Sequence, residues 1–158
     1  MKEMLPQVPE PAGHDRPSWD EYFMAITRAV ATRATCSRRS VGAVIVKDKR
    51  ILATGYNGAP IGMRHCDHSA GGDMRDGHCA RSTHAEQNAL VQAARHGTSI
   101  AGGTMYCTDH PCLTCAKLMI NAGLTRVVYE DSYPDELAAT MLQEARVQLD
   151  RLTDRRTS

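Results

Sequence analysis

A chain of 158 residues, 42% of them hydrophobic, is long enough to bury one core and gives no reason to expect a second. Aromatic residues make up only 4%, so that core must be built from Val, Ile, Leu, Met and Ala. A formal net charge of +1 argues against a surface built to wrap nucleic acid, and no apolar run approaches the length of a membrane span.

Residues 1–17 contain Pro6, Pro9, Pro11 and Gly13. They offer neither an apolar signal core nor an amphipathic targeting helix, and they read as an extended arm ahead of one domain spanning 18–152. Ser18 and Glu21 form a capping box that starts a helix expected to run to about Ala34. Trp19 anchors its start, and Tyr22, Phe23, Ile26, Ala29 and Val30 are expected to face inward. Val41–Val46 and Ile51–Tyr56, parted by Lys47-Asp48-Lys49, read as an antiparallel strand pair that Gly55-Tyr56-Asn57-Gly58 ends as a turn. From Ala59 to Thr83 the chain reads as loop, with four glycines and more His and Cys than a loop requires.

His84–Arg95 reads as a helix closed by Gly97, with Ala85, Ala89, Leu90 and Ala93 small or apolar enough to lie close to a sheet. Thr104–Thr108 follows as a strand. Pro111 then begins a helix carrying Cys112 and Cys115 on one turn and stopped by Gly123. Arg126–Tyr129 is a further strand, and Pro134-Asp135-Glu136 starts a helix with Leu137, Met141 and Leu142, which periodicity alone would extend to Leu152. Strands alternating with helices after an opening hairpin argue for an α/β sandwich with a mixed sheet.

The chemistry is concentrated in His84-Ala85-Glu86 and Pro111-Cys112-Leu113-Thr114-Cys115. A C-x-x-C pair and a histidine from another segment supply three zinc-type ligands and leave a fourth position open for water. Glu86 suits proton transfer better than ligation, and His84 and Glu86 fall near a helix N-terminus whose dipole favours developing negative charge. H-x-E followed by P-C-x-x-C is the signature of zinc nucleobase deaminases. With Gly55-Tyr56-Asn57-Gly58, His84–Ala89, Ser18–Met24, Ser40–Val46 and Val127–Tyr129, the chain resembles the deoxycytidylate deaminase branch of the cytidine deaminase superfamily.

The resemblance implies a three-layer α/β/α sandwich on a mixed sheet of about five strands, with a last short strand near Arg146–Leu149. It implies Zn2+ held by His84, Cys112 and Cys115, Glu86 as proton carrier, the Ala85 amide as donor to the base carbonyl, and Asn57 as a contact to the base or sugar hydroxyl. The implied reaction is attack of an activated water on C4 of cytosine, turning dCMP into dUMP and ammonia for thymidylate synthesis. Homo-oligomers, hexameric or smaller, are implied as well, with regulation by dCTP and dTTP sought around Gly55–Gly62.

Other residues stay open to more than one reading. Tyr129 and Tyr133 either shape the nucleotide pocket or simply pack. Arg38, Arg39, Lys117 and Arg95 are candidate phosphate contacts, Arg95 first because it follows the His84 helix motif. Cys36, His65, Cys66, His68, His78 and Cys79 gather near the loop, and some family members carry a second, structural zinc there. Cys36, Cys66 and Cys79, closed by His65 or His78, are the expected ligands. Cys107 has no evident partner and reads as a buried strand residue. A disulfide set is disfavoured by the C-x-x-C beside a histidine motif and the missing signal core, which point to a reducing cytoplasm. Two alternatives share the metal signature: a deaminase acting on tRNA adenosine, single-stranded DNA or a free nucleoside, and a non-catalytic zinc-binding interaction protein. Near-neutral charge and few aromatics weigh against polynucleotide substrates.

Overall fold

Helix α1 (Trp19–Ala31) begins at the expected capping box: Ser18 Oγ accepts from the Glu21 amide at 3.2 Å, and Glu21 Oε2 accepts from the Ser18 amide at 2.6 Å. The computed structural model describes residues 13, 15–131 and 134–153, so most of the expected arm and all of Tyr133 lie outside the described residues. Beyond Ala31 the helix tightens, with the amides of Thr32, Arg33 and Ala34 bonding three residues back. Its buried face is Phe23, Met24, Thr27 and Ala31, flanked by Ile26 and Val30. That corrects the expected face in two places: Ala29 is exposed, and Tyr22 is 46% exposed and packs edge-on against Trp19 and Phe23 at the helix flank.

Strands β1 (Gly42–Lys47) and β2 (Arg50–Tyr56) pair antiparallel. Asp48 and Lys49, both at positive φ, make the tight turn whose twist suits a two-residue hairpin. Within the following loop, β3 (Met74–Arg75) and β4 (His78–Cys79) form a small hairpin that periodicity did not reveal. Then come α2 (Ala85–Arg95), β5 (Thr104–Asp109), α3 (Leu113–Asn121), β6 (Arg126–Asp131), α4 (Glu136–Glu144) and β7 (Gln148–Arg151). The main sheet has the order β2-β1-β5-β6-β7. β1 runs antiparallel to β2 and β5, and β5, β6 and β7 run parallel, which makes the sheet mixed and five-stranded as expected. Helix α4 does not continue to Leu152: Arg146 turns left-handed after the Ala145 cap, Val147 is buried, and β7 follows.

Strand alternation divides the core between the two faces of the sheet. Val44, Val46, Tyr106 and Val128 pack against Phe23 and Met24 of α1. On the opposite face, Ala43, Ile45, Met105, Cys107 and Val127 meet Ala85, Ala89, Met119, Ala138 and Leu142 from α2, α3 and α4. The predicted three layers are thus present, and Cys107 is the buried strand residue expected.

Helix α2 lies unusually close to β2. A Cβ at Gly55 would fall 2.3 Å from the Ala85 carbonyl oxygen and 2.4 Å from the Ala89 nitrogen, so only glycine lets the start of α2 rest on the strand. Asn88 Nδ2 donates to the Tyr56 carbonyl at 2.7 Å and fixes the same contact. Gly55→Ala is expected to lower unfolding stability by about 3 kcal/mol, read as a lower urea midpoint, because the clash is with helix backbone. An unchanged midpoint would mean that α2 does not approach β2 this closely.

Candidate active site

Two helix starts carry the reactive groups. His84 is the N-cap of α2, extended at φ −67° and ψ 151°, and its amide donates to Gln87 Oε1 at 3.0 Å. At the end of β5 the chain passes through Asp109, His110 and Pro111 to Cys112, the N-cap of α3, while Cys115 is buried in the first turn. The expected helix start at Pro111 is therefore corrected to Leu113. An extended Cys112 followed by one helical turn is what lets both sulfurs face the same point.

His84 Nδ1 lies 3.5 Å from Cys112 Sγ and 3.4 Å from Cys115 Sγ. A tetrahedral zinc with bonds of about 2.0 Å to nitrogen and 2.3 Å to sulfur has ligand–ligand edges of about 3.5 Å, so the donor set fits that metal. Among the described residues, this group contains three donors and Glu86 is not one of them.

The two sulfurs divide their protons unequally. Cys112 is held down to about 4, first by the hydrogen bond from Cys115 and then by His84, against the effect of burial. Cys115 is pushed far up, first by donating to Cys112 and then by burial. The Cys112 thiolate beside it raises His84. Burial pushes the Glu86 carboxyl up to about 7. Glu86 is only 4% exposed, beside the donor cluster on the inner side of α2.

A cavity of about 550 Å³ opens over this cluster. His84, Ala85, Glu86 and Cys112 line it together with Asn57, Asp109, His110 and Asp135. The Asn57 side chain also holds the neighbouring loop, its Oδ1 accepting from the Val41 amide and its Nδ2 donating to the Arg39 carbonyl, both at 2.8 Å. Arg38 and Arg39 line the cavity, and Arg39 Nη2 pairs with Asp109 at 2.8 Å. Burial raises Asp109, and Arg39 partly offsets this. Arg95 sits in the last turn of α2, the far end from Glu86, and does not line the cavity, nor does Lys117. Tyr129 packs edge-on against His110, 4.8 Å between ring centroids, and so borders the cavity indirectly. Asp109, His110 and Asp135 were not singled out as site residues, although Asp109 and His110 directly precede the P-C-x-x-C motif.

A second cluster gathers Cys36, Cys66, His68 and Cys79, all donor atoms lying within 4.8 Å of one another. The expected closing residue, His65 or His78, is corrected to His68, whose Nε2 lies 3.2 Å from Cys36 Sγ. The reason is geometric: neighbours in an extended segment point oppositely, so His78 faces away where Cys79 faces in. The His68 Nδ1 is buried with no hydrogen-bond partner among the described residues. Burial and then the Cys79 contact push Cys66 up to about 12. Cys79 feels the same burial but is lowered overall by the Ser82 amide and Cys66. Among the described residues, no helix is long and apolar enough to cross a membrane.

Comparison with known proteins finds similar chains. ComE operon protein 2 of Bacillus subtilis is 47% identical over 119 residues, covering 75% of this chain and 62% of that protein. Deoxycytidylate deaminase of Saccharomyces cerevisiae is 41% identical over 136 residues, covering 82% of this chain and 43% of that protein. The chain thus spans less than two thirds of either relative's length. The crystal structure of dCMP deaminase from cyanophage S-TIM5, in complex with dCMP and dUMP, superposes with a TM-score of 0.76 at 34% identity, covering 88% of this chain and 100% of that one. The family model for the cytidine and deoxycytidylate deaminase zinc-binding region matches residues 17–131, a span that holds both cysteine–histidine clusters, and the chain belongs to that family.

Proposed function

We propose that the protein hydrolyses dCMP to dUMP and ammonia, supplying dUMP for thymidylate synthesis. The observation that carries this reading is a three-donor metal cluster with a buried, non-ligating Glu86 beside it, under a cavity of about 550 Å³. The likeness to a dCMP deaminase crystallised with dCMP and dUMP supports the choice of substrate.

Zinc held by His84, Cys112 and Cys115 would supply a water activated near neutral pH. Glu86 takes a proton from the water that adds to C4 and passes it to ring N3. It then delivers the second proton to the exocyclic amine, so one water is consumed and one ammonia leaves. The Ala85 amide, in the first turn of α2, has no intrahelical acceptor and donates to the base carbonyl. Asn57 retains one amide hydrogen and one lone pair beyond its loop bonds, and these meet the sugar hydroxyl. Arg38 and Arg39, the cations that line the cavity, take the phosphate in place of Arg95. Tyr129 supports the pocket wall through His110.

The catalytic unit is residues 18–152, with 1–17 as an appended arm. A second, structural zinc sits among Cys36, Cys66, His68 and Cys79, fastening the 59–83 loop to the segment after α1. The setting is a reducing cytoplasm, in keeping with six cysteines of which none is joined in a disulfide. The protein assembles as a homo-oligomer, hexameric or smaller, and dCTP and dTTP act at the 55–62 segment, in which Ile61 is 81% exposed and after which Met63 is 51% exposed.

Incubation with dCMP, CMP, deoxycytidine and dCTP in parallel, followed by ammonia release and loss of cytosine absorbance, tests the substrate. Fastest turnover is expected with dCMP, and equal turnover of deoxycytidine would remove the phosphate from the reading. Glu86→Gln should slow dCMP turnover about a thousandfold with zinc content unchanged. Loss of zinc along with activity would instead make Glu86 a ligand. Cys36→Ser should cut zinc content by about half and lower Tm, whereas undiminished zinc would argue against the second site.

A further inference from the structure

We infer that Asp135 is a positioning residue for the Cys112 side of the metal site, acting by capping two helices with one carboxylate. The inference rests on the reading of His84, Cys112 and Cys115 as metal ligands. An N-cap side chain ordinarily accepts from an amide in the first turn, and Ser, Thr, Asp and Asn are preferred there. Cys112 occupies the N-cap of α3, where its sulfur is at best a weak acceptor for the Cys115 amide and leaves the Leu113 amide to another partner. Its sulfur is turned toward His84 Nδ1 instead, 3.5 Å away.

Asp135 supplies the missing acceptor from a distant part of the chain. Its Oδ2 accepts from the Leu113 amide at 3.0 Å, one residue after Cys112, while its Oδ1 caps α4 through the Ala138 amide, also at 3.0 Å. The backbone is stitched at the same place, with the Asp135 amide 3.4 Å from His110 Nδ1 and the His110 amide donating to the Asp131 carbonyl at 3.0 Å. Asp135 lines the cavity but is not among the donors of the metal cluster. A carboxylate is required because both helix starts need an acceptor at once. Asn offers one acceptor oxygen, and Ala offers none. Without Asp135 the first turn of α3 can fray, and the Cys112 sulfur loses its fixed place.

The test follows zinc release from the full chain into a chromophoric chelator, with the phase missing in Cys112→Ala marking this site. Asp135→Ala is expected to speed that phase about tenfold, and Asp135→Asn to speed it less. Ser18→Ala removes a cap from α1 on the opposite face and should lower Tm while leaving the release rate as it was. Release from Asp135→Ala at the wild-type rate would overturn the inference, as would equal acceleration in Ser18→Ala. If Asp135→Ala does not fold, Asp135→Asn decides, and wild-type release from it overturns the proposal. Absence of any zinc phase removed by Cys112→Ala would instead sink the metal reading itself, and this inference with it.

Discussion

Helices α2 and α3 begin at the same point in space, where His84 Nδ1 and Cys115 Sγ are 3.4 Å apart. Each helix start presents the positive end of its dipole, which favours thiolate and developing negative charge. Bringing two such ends together requires α2 to lie almost on the sheet, and the missing side chain at Gly55 permits that. It also requires β5 to deliver α3 beside α2, which the antiparallel β1–β5 pairing accomplishes. The rest of the molecule serves this junction: α1 seals the other face of the sheet, and α4 provides the carboxylate that caps α3.

The long segment after β2 poses a different physical problem. Residues 61–72 are mostly exposed and supply little apolar surface that could order them. Asp73 partly solves this, its carboxylate accepting from Arg64 at 2.7 and 3.0 Å, from Arg81 at 3.0 Å and from the Asp67 amide at 2.8 Å. The Arg64 guanidinium holds that carboxyl well below the usual range. This clasp accompanies the gathering of Cys66, His68 and Cys79 at Cys36, and the Gly58–Thr83 bridge closes the loop by pairing its beginning with its end, just before α2.

Much of the site was legible in the sequence because its parts are local. The H-x-E and C-x-x-C spacings specify which atoms share a helix turn, and both motifs are found at helix starts. The order of the four helices and the five main-sheet strands was equally legible, since capping residues and turn residues punctuate the chain. What escaped was set by tertiary geometry. Helical spacing could not tell whether Tyr22 or Met24 faces the sheet, and burial selected Met24. His65 and His78 flank the right cysteines, yet alternation along β4 sets His78 opposite Cys79, and it is His68, two residues past Cys66, that reaches Cys36. Arg95 follows the correct motif but sits a full helix length too far along. Asp135 read only as the start of its own helix, because its second partner, Leu113, is 22 residues away in sequence.

His84, Cys112 and Cys115 are proposed to hold a metal whose fourth position is left to water, with Glu86 beside it and unbound. An anomalous difference map at the zinc absorption edge, from crystals of the purified protein, tests this most directly. The expected peak lies about 2.0 Å from His84 Nδ1 and about 2.3 Å from each sulfur, with no fourth protein ligand. A peak closed by the Glu86 carboxylate, or no peak between these three atoms, would contradict it.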